Sequence, residues 1–196
     1  MTRLAALVLM LFAMGASVAH DASAVTLSFA PSSVSAGIGD SVAVDVVVSD
    51  LGTDLVAGFD LDVLFASSAL VATNVVFGVH LGNPGVFEAF TDFDLTTAGR
   101  VDFAEVSLLS AAQLAALQTG PFVLATLEFD VVGAGASPLT YHLDAFNQLF
   151  GPSGETLDVV VRDGSVVAVV PEPTAALLFA VGFAVVGLHT RRARAA

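Results

Sequence analysis

The chain has 196 residues, a formal net charge of −13, and neither cysteine nor lysine. Without cysteine there is no disulfide, no thiol nucleophile and no cysteine metal site. A surface this acidic repels nucleic acid and anionic lipid headgroups, and no nucleic-acid partner is expected; it suits cations or simple solubility.

Residues 1–24 read as a secretory signal peptide. Arg3 is the positive n-region and Leu4–Met14 the apolar h-region. Ser17-Val18-Ala19 or Ala22-Ser23-Ala24 is the small-residue cleavage site. The apolar core is too short for a membrane span. Mean hydropathy is +0.86, but between the termini apolar residues alternate with polar ones, so the exported part reads as one folded domain over residues 25–169. Its only arginines are Arg100 and Arg162.

The dominant period there is two, that of strands. Val25–Phe29 is a first strand, stopped by Pro31. Gly37-Ile38-Gly39-Asp40 is a turn. Val42, Val44, Val46 and Val48 share one face of the next strand, with Asp45 on the other. Phe59, Leu61, Val63 and Phe65 then alternate with Asp60 and Asp62, which predicts exposed carboxylates on a half-buried strand. Leu70–Phe77 is a strand and His80–Gly85 a loop. Phe87–Phe93 alternates with Glu88 and Asp92 outward, which leaves Phe90 beside the acids.

Gly99–Leu108 falters in phase, since Phe103 and Ala104 adjoin and Val106 and Leu108 then carry the apolar face. A β-bulge near Ala104 accounts for that, with Glu105 partly buried in a structural role. Ser110 caps a short helix over Ala111–Leu117, with Gln113 as reciprocal partner and Leu114 and Leu117 on one face. Strands resume at Phe122–Val131, with Val123, Ala125, Leu127, Phe129 and Val131 inward. Leu139–Phe146 and Leu157–Arg162 follow, and an Asp163-Gly164 hairpin leads to Ser165–Val169.

The chain ends Val170-Pro171-Glu172-Pro173, an uncharged apolar run to Leu188, and Arg191, Arg192 and Arg194. The prolines hold the junction extended, the run is a thin transmembrane helix, and the arginines stop transfer and stay cytoplasmic. This order of parts resembles the PEP-CTERM sorting signal of Gram-negative bacteria. The resemblance covers residues 170–196. It implies processing by an exosortase near Pro171, Glu172 and Pro173. The protein would be exported to the cell envelope or beyond after transient anchoring in the inner membrane.

Many short strands, frequent turns and one small helix make an all-β sandwich. Gly39 to Val48, Gly58 to Phe65, Ala69-Leu70, Phe122–Phe129 and Gly164-Ser165-Val166 resemble cohesin-like domains of the carbohydrate-binding-module superfamily. The resemblance implies a jelly-roll sandwich of about nine strands with one helix. The residues that carry it are core and turn residues, which speak to fold rather than ligand.

The candidate metal ligands are Asp60 with Asp62 and Asp92 with Asp94, hard oxygen pairs suited to Ca²⁺. No calcium loop motif surrounds them, and a solvated outer face is the simpler reading; no other cofactor is expected. His80 and His142 lack the spacing of a catalytic or metal pair, and Tyr141 and His142 point to opposite faces. No Gly-x-Ser-x-Gly elbow is present. Without tryptophan and with a single tyrosine, an aromatic sugar platform is disfavoured. The sequence therefore reads as an exosortase-sorted envelope or matrix protein with a non-catalytic interaction or structural domain. Envelope proteins or exopolysaccharide are its partners. A carbohydrate-binding module for exopolysaccharide is the alternative, and an enzyme the remote one.

Overall fold

The computed structural model describes residues 24–144 and 147–169. All but Ala24 of the stretch read as a leader, together with the Pro-Glu-Pro motif, the apolar run and the terminal arginines, lies outside the described residues.

Among the described residues, twelve strands form two sheets. They are β1 (Val25–Ala30), β2 (Ser33–Gly37), β3 (Ser41–Ser49), β4 (Gly58–Leu64), β5 (Leu70–Phe77), β6 (Ala89–Asp94), β7 (Arg100–Ser107), β8 (Phe122–Val131), β9 (Gly135–His142), β10 (Gln148–Phe150), β11 (Val159–Arg162) and β12 (Gly164–Val169). One helix, α1 (Ala111–Leu117), follows β7. The first sheet has the order β11-β1-β3-β8-β5. The second runs β2-β12-β9-β4-β7-β6, with β10 added to β4.

The core lies between the two inner faces, where the period-two patterning puts it. Val42, Val44, Val46 and Val48 of β3 are buried as the alternation predicts, and so are Phe59, Leu61 and Val63 of β4. The Phe59 ring meets Phe103 edge-on at 5.6 Å between centroids. Phe29 stacks on Tyr141 at 4.5 Å, and the Tyr141 hydroxyl donates to the Ser28 carbonyl, which ties the two sheets together. Burial holds the phenol well above its usual range.

Four local expectations are corrected. First, Asp163-Gly164 is no hairpin. β11 pairs in parallel with β1, and β12 pairs with β2 and β9, so the chain crosses between sheets at Asp163. Gly164 fits this crossing because a Cβ there would lie 3.0 Å from the Phe29 side chain. Second, β7 has no bulge. Its registers with β4 and β6 run unbroken, and Glu105 takes the inward position after Val101 and Phe103. Val106 and Leu108, expected inside, are exposed. The slips fall elsewhere, between Val46 and Val47 on β3 and between Ala72 and Asn74 on β5. The first of these brings Leu124 into the core in place of Val123. Third, Leu117 is exposed and Leu114 alone anchors α1. The cap itself is as read: Gln113 Oε1 accepts from the Ser110 N–H at 3.0 Å and from its hydroxyl at 2.7 Å. Fourth, the expected Leu139–Phe146 strand starts at Gly135 and ends at His142.

Glu105 is 1% exposed, and neither of its carboxylate oxygens has a hydrogen-bond partner among the described residues. Burial pushes its pKa from the ordinary 4.5 to about 8. The folded chain thus keeps a proton that the unfolded chain releases between those two values. Stability is fullest below the lower value, falls as pH rises, and levels above the upper. The slope is at most about 1.4 kcal/mol per pH unit. Glu105→Met should remove that slope relative to wild type, as denaturant melts between pH 5 and pH 9 will read. Phe59→Ala should cost about 3–5 kcal/mol, in the same melts.

Candidate functional site

The outward positions of β9, β4, β7 and β6 form one continuous face. Register places His142, Asp62, Asp102 and Asp94 side by side across the four strands. The next row holds Gln148, Asp60, Ala104 and Asp92. Beyond it, Val106 and Phe90 are direct cross-strand neighbours. Like charges facing one another across a ladder are destabilising, so this row needs a counter-charge.

Arg100 provides it. On β7, directly opposite Leu64, it sends Nη1 to Asp62 Oδ2 at 3.3 Å and Nη2 to Asp102 Oδ2 at 3.5 Å. Asp62, expected to be exposed, is only 5% exposed. The reason is its central strand: β7 and β9 flank β4 at that position, and the Arg100 side chain meets its carboxylate. Asp62 Oδ1 remains buried without a partner.

Asp60, Asp62, Leu64, Arg100, Asp102, His142, Asp144 and Asn147 line a shallow depression of about 490 Å³. Partial burial, and then the neighbouring charges of Asp102, Asp62 and Asp144, raise the pKa of Asp60. Asp102 is raised by burial and by Asp62, with Arg100 opposing. Asp94 is lowered, chiefly because the Thr96 backbone N–H donates to its carboxylate at 2.7 Å. His142 Nε2 lies 3.6 Å from Asp144 Oδ2.

The two proposed calcium pairs thus share one face but not one site. Asp62 is engaged by Arg100, and Asp94 by the Thr96 turn. Among the described residues no group of three or more His, Asp or Glu side chains is placed to hold a metal ion. The other histidine among the described residues, His80, stacks on Phe122 at 4.9 Å. Its carbonyl accepts from the Gln118 side chain, which also brackets the Val56 backbone.

Sequence reasoning found Phe90, which is 60% exposed, but missed Phe87, which is 79% exposed. Phe87 follows a 3-10 turn at Pro84–Val86 and adopts a left-handed backbone with φ 61°. The turn is locked by Asn83, whose side chain accepts from the Gly85 N–H, and by Glu88, whose carboxylate accepts from the Asn83 N–H. A non-glycine residue in that backbone region is strained. The Asn-Pro-Gly turn signal just before Phe87 was the available clue. Chemically the face offers carboxylates in excess over one guanidinium, bordered by exposed apolar side chains. Those are the ingredients of charge and apolar recognition.

Comparison with solved structures places the fold. The sixth cohesin of scaffoldin B from Acetivibrio cellulolyticus, solved in complex with a Cel5 dockerin, superposes with TM-score 0.59 at 18% identity, over 75% of this chain and all of that one (100%). The seventh ScaB type I cohesin from Pseudobacteroides cellulosolvens gives 0.58 at 16% identity, over 76% and 94%. CaCohA2 from Clostridium acetobutylicum, solved in solution, gives 0.58 at 19% identity, over 74% and 91%. No protein-family model and no curated protein matches the chain. The domain is a cohesin-like β-sandwich.

Removing Arg100 would leave the Asp62 carboxylate buried without its cation. Arg100→Met should therefore cost about 1–3 kcal/mol, whereas Asp92→Ala, on an exposed edge position, should cost less than about 0.5. Equal shifts in thermal melts would show that Arg100 is not the counter-charge of the face.

Proposed function

We propose that this chain is an exported, exosortase-sorted protein whose sandwich is a non-catalytic protein-docking module of the cell envelope. The carrying observation is the outer face of β9-β4-β7-β6. There a row of carboxylates with a single arginine adjoins the exposed Phe90–Val106 pair. One solved neighbour of the same fold is a cohesin bound to a dockerin, which supports reading such a sandwich as a partner-binding module. The face has the composition of a recognition surface, with an apolar anchor and a polar surround.

The sorting half of the reading rests on Pro171, Glu172 and Pro173 and on Arg191, Arg192 and Arg194. In this reading the exosortase cuts near the Pro-Glu-Pro motif and the mature chain leaves the membrane. Replacing the three motif residues by alanine should yield a longer, membrane-retained form. Intact-mass spectrometry of envelope and medium fractions reads it. Wild-type protein that still carries Arg191–Ala196 in a strain with a working exosortase would reduce the segment to an anchor.

The docking half is tested by crosslinking in an envelope extract. Phe90→Ser should lower capture of a defined protein partner by about 30-fold or more, as expected for truncating a hot-spot aromatic. Val76→Ser, an exposed change in the other sheet, should leave it intact. The exposed rings of Phe87 and Phe90 also favour a second reading, an exopolysaccharide-binding module. Binding on a glycan array that Phe90→Ser abolishes, with no protein captured, would select that reading.

A further inference from the structure

Glu105 is the buried titratable group that the docking face does not use. Its inward position on β7 faces Phe59 on β4 and Thr91 on β6. Both carboxylate oxygens are buried without partners. An ionised carboxylate in that place has lost its water and gained nothing in return, so it must be neutral or reach water.

The route to water is the neighbouring edge. β6 ends the second sheet and pairs with β7 alone. Of its six residues only Ala89 is buried; the inward-phased Thr91 and Phe93 are both exposed. Phe93 is the one large inward side chain of β6; it is 45% exposed and its ring lies 6.5 Å from that of Phe77, so separating β6 from β7 uncovers less apolar area than separating β3 or β8 in the first sheet. Among the described residues no charge compensates Glu105 in place. Asp60 and Asp62 of β4 and Asp92 and Asp94 of β6 sit on the outward phase. The Glu88 carboxylate is taken by the Asn83 N–H. β5 and α1 have no charged side chain, and the His80 ring is stacked on Phe122.

We propose that Glu105 is a proton-controlled latch on edge strand β6: protonated, it stays in the core and β6 stays paired; ionised, it draws water in and β6 opens. β6 carries Phe90, Asp92 and Asp94, so the latch would also govern the order of the proposed docking face. The latch itself does not depend on that face binding anything.

Hydrogen-exchange mass spectrometry on the full chain tests it, with rates corrected for the intrinsic pH dependence of exchange. Each opening of β6 releases one proton between the ordinary carboxyl value of 4.5 and the buried value of about 8. Protection of a peptide covering residues 89–94 should therefore fall by up to about tenfold per pH unit across that window and flatten above it. It should lie well below the protection of β3 and β8 throughout. Glu105→Gln and Glu105→Met should both make β6 protection independent of pH. Two results would overturn the latch. One is β6 protection equal to that of β3 and β8 at every pH, since opening would then be global. The other is a pH slope that survives in whichever variant folds. Loss of protein capture with an unchanged β6 profile would count against the docking face and leave the latch standing.

Discussion

The guanidinium of Arg100 is the constraint on which the second sheet rests. β4 is its central strand, paired to β7 on one side and to β9 and β10 on the other. Its outward Asp62 faces Asp102 across one ladder and His142 across the other. Two carboxylates directly opposite one another would push β4 and β7 apart. Arg100, two residues before Asp102 on β7 and so on the same face, bridges both and turns the repulsion into a three-member ion network. Asp62 is nearly dry and Arg100 only partly so. The network therefore matters less as a source of net stability than as a cost incurred if either partner is lost. The same register sets the row of Asp60 and Asp92 between the ion network and the Phe90–Val106 pair.

What the sequence made legible follows from where one rule acts alone. β3 and β4 have clean alternation, and their bounds and inward residues come out nearly as read, as do the bounds of β5. The helix is equally plain, because its cap is a local matter of Ser110 and Gln113. β2 has no such signal. Ser33–Gly37 is short and nearly devoid of large apolar residues, and it becomes a strand only because β12 lies beside it in parallel. The same distant pairing explains the failed hairpin at Asp163. Parallel partners far apart in sequence leave no trace in a local turn signal, whereas Asp-Gly between two apolar runs is the strongest local one.

Asp62, read as exposed, and Glu105, read as partly buried beside a bulge, teach different lessons. Asp62 lies on the outward phase as alternation requires, yet outward is not exposed once a strand is central and an arginine lies over it. Its burial was hidden because it depends on which strands flank β4. Glu105 is the reverse. An acid in an apolar rhythm was read as a fault in the backbone, a bulge that would return the rhythm to Val106. The backbone kept its phase and the acid went inside. Shifting phase would have cost ladder hydrogen bonds to both β4 and β6, while a neutral carboxyl costs only its desolvation.

That choice has a consequence for the edge of the sandwich. A sheet edge is commonly blunted by charge on its outer face, and Asp92 and Asp94 do that on β6. Glu105 adds an ionisable group on the inner side of the same edge, where it works against pairing as soon as it is charged. An all-apolar residue at that position would bind β6 more firmly and at every pH. The acid therefore lowers the local stability of the strand that presents Phe90, while the Asn83–Glu88 turn before it is rigidly bonded and holds Phe87 in a strained backbone. Gly82 makes this juxtaposition possible: at φ 126° a Cβ there would come within 2.7 Å of the Glu88 carbonyl. A stiff turn feeding a weakly held strand localises motion to the six residues of β6, and leaves the ion network of Arg100 on the β4–β7 side undisturbed.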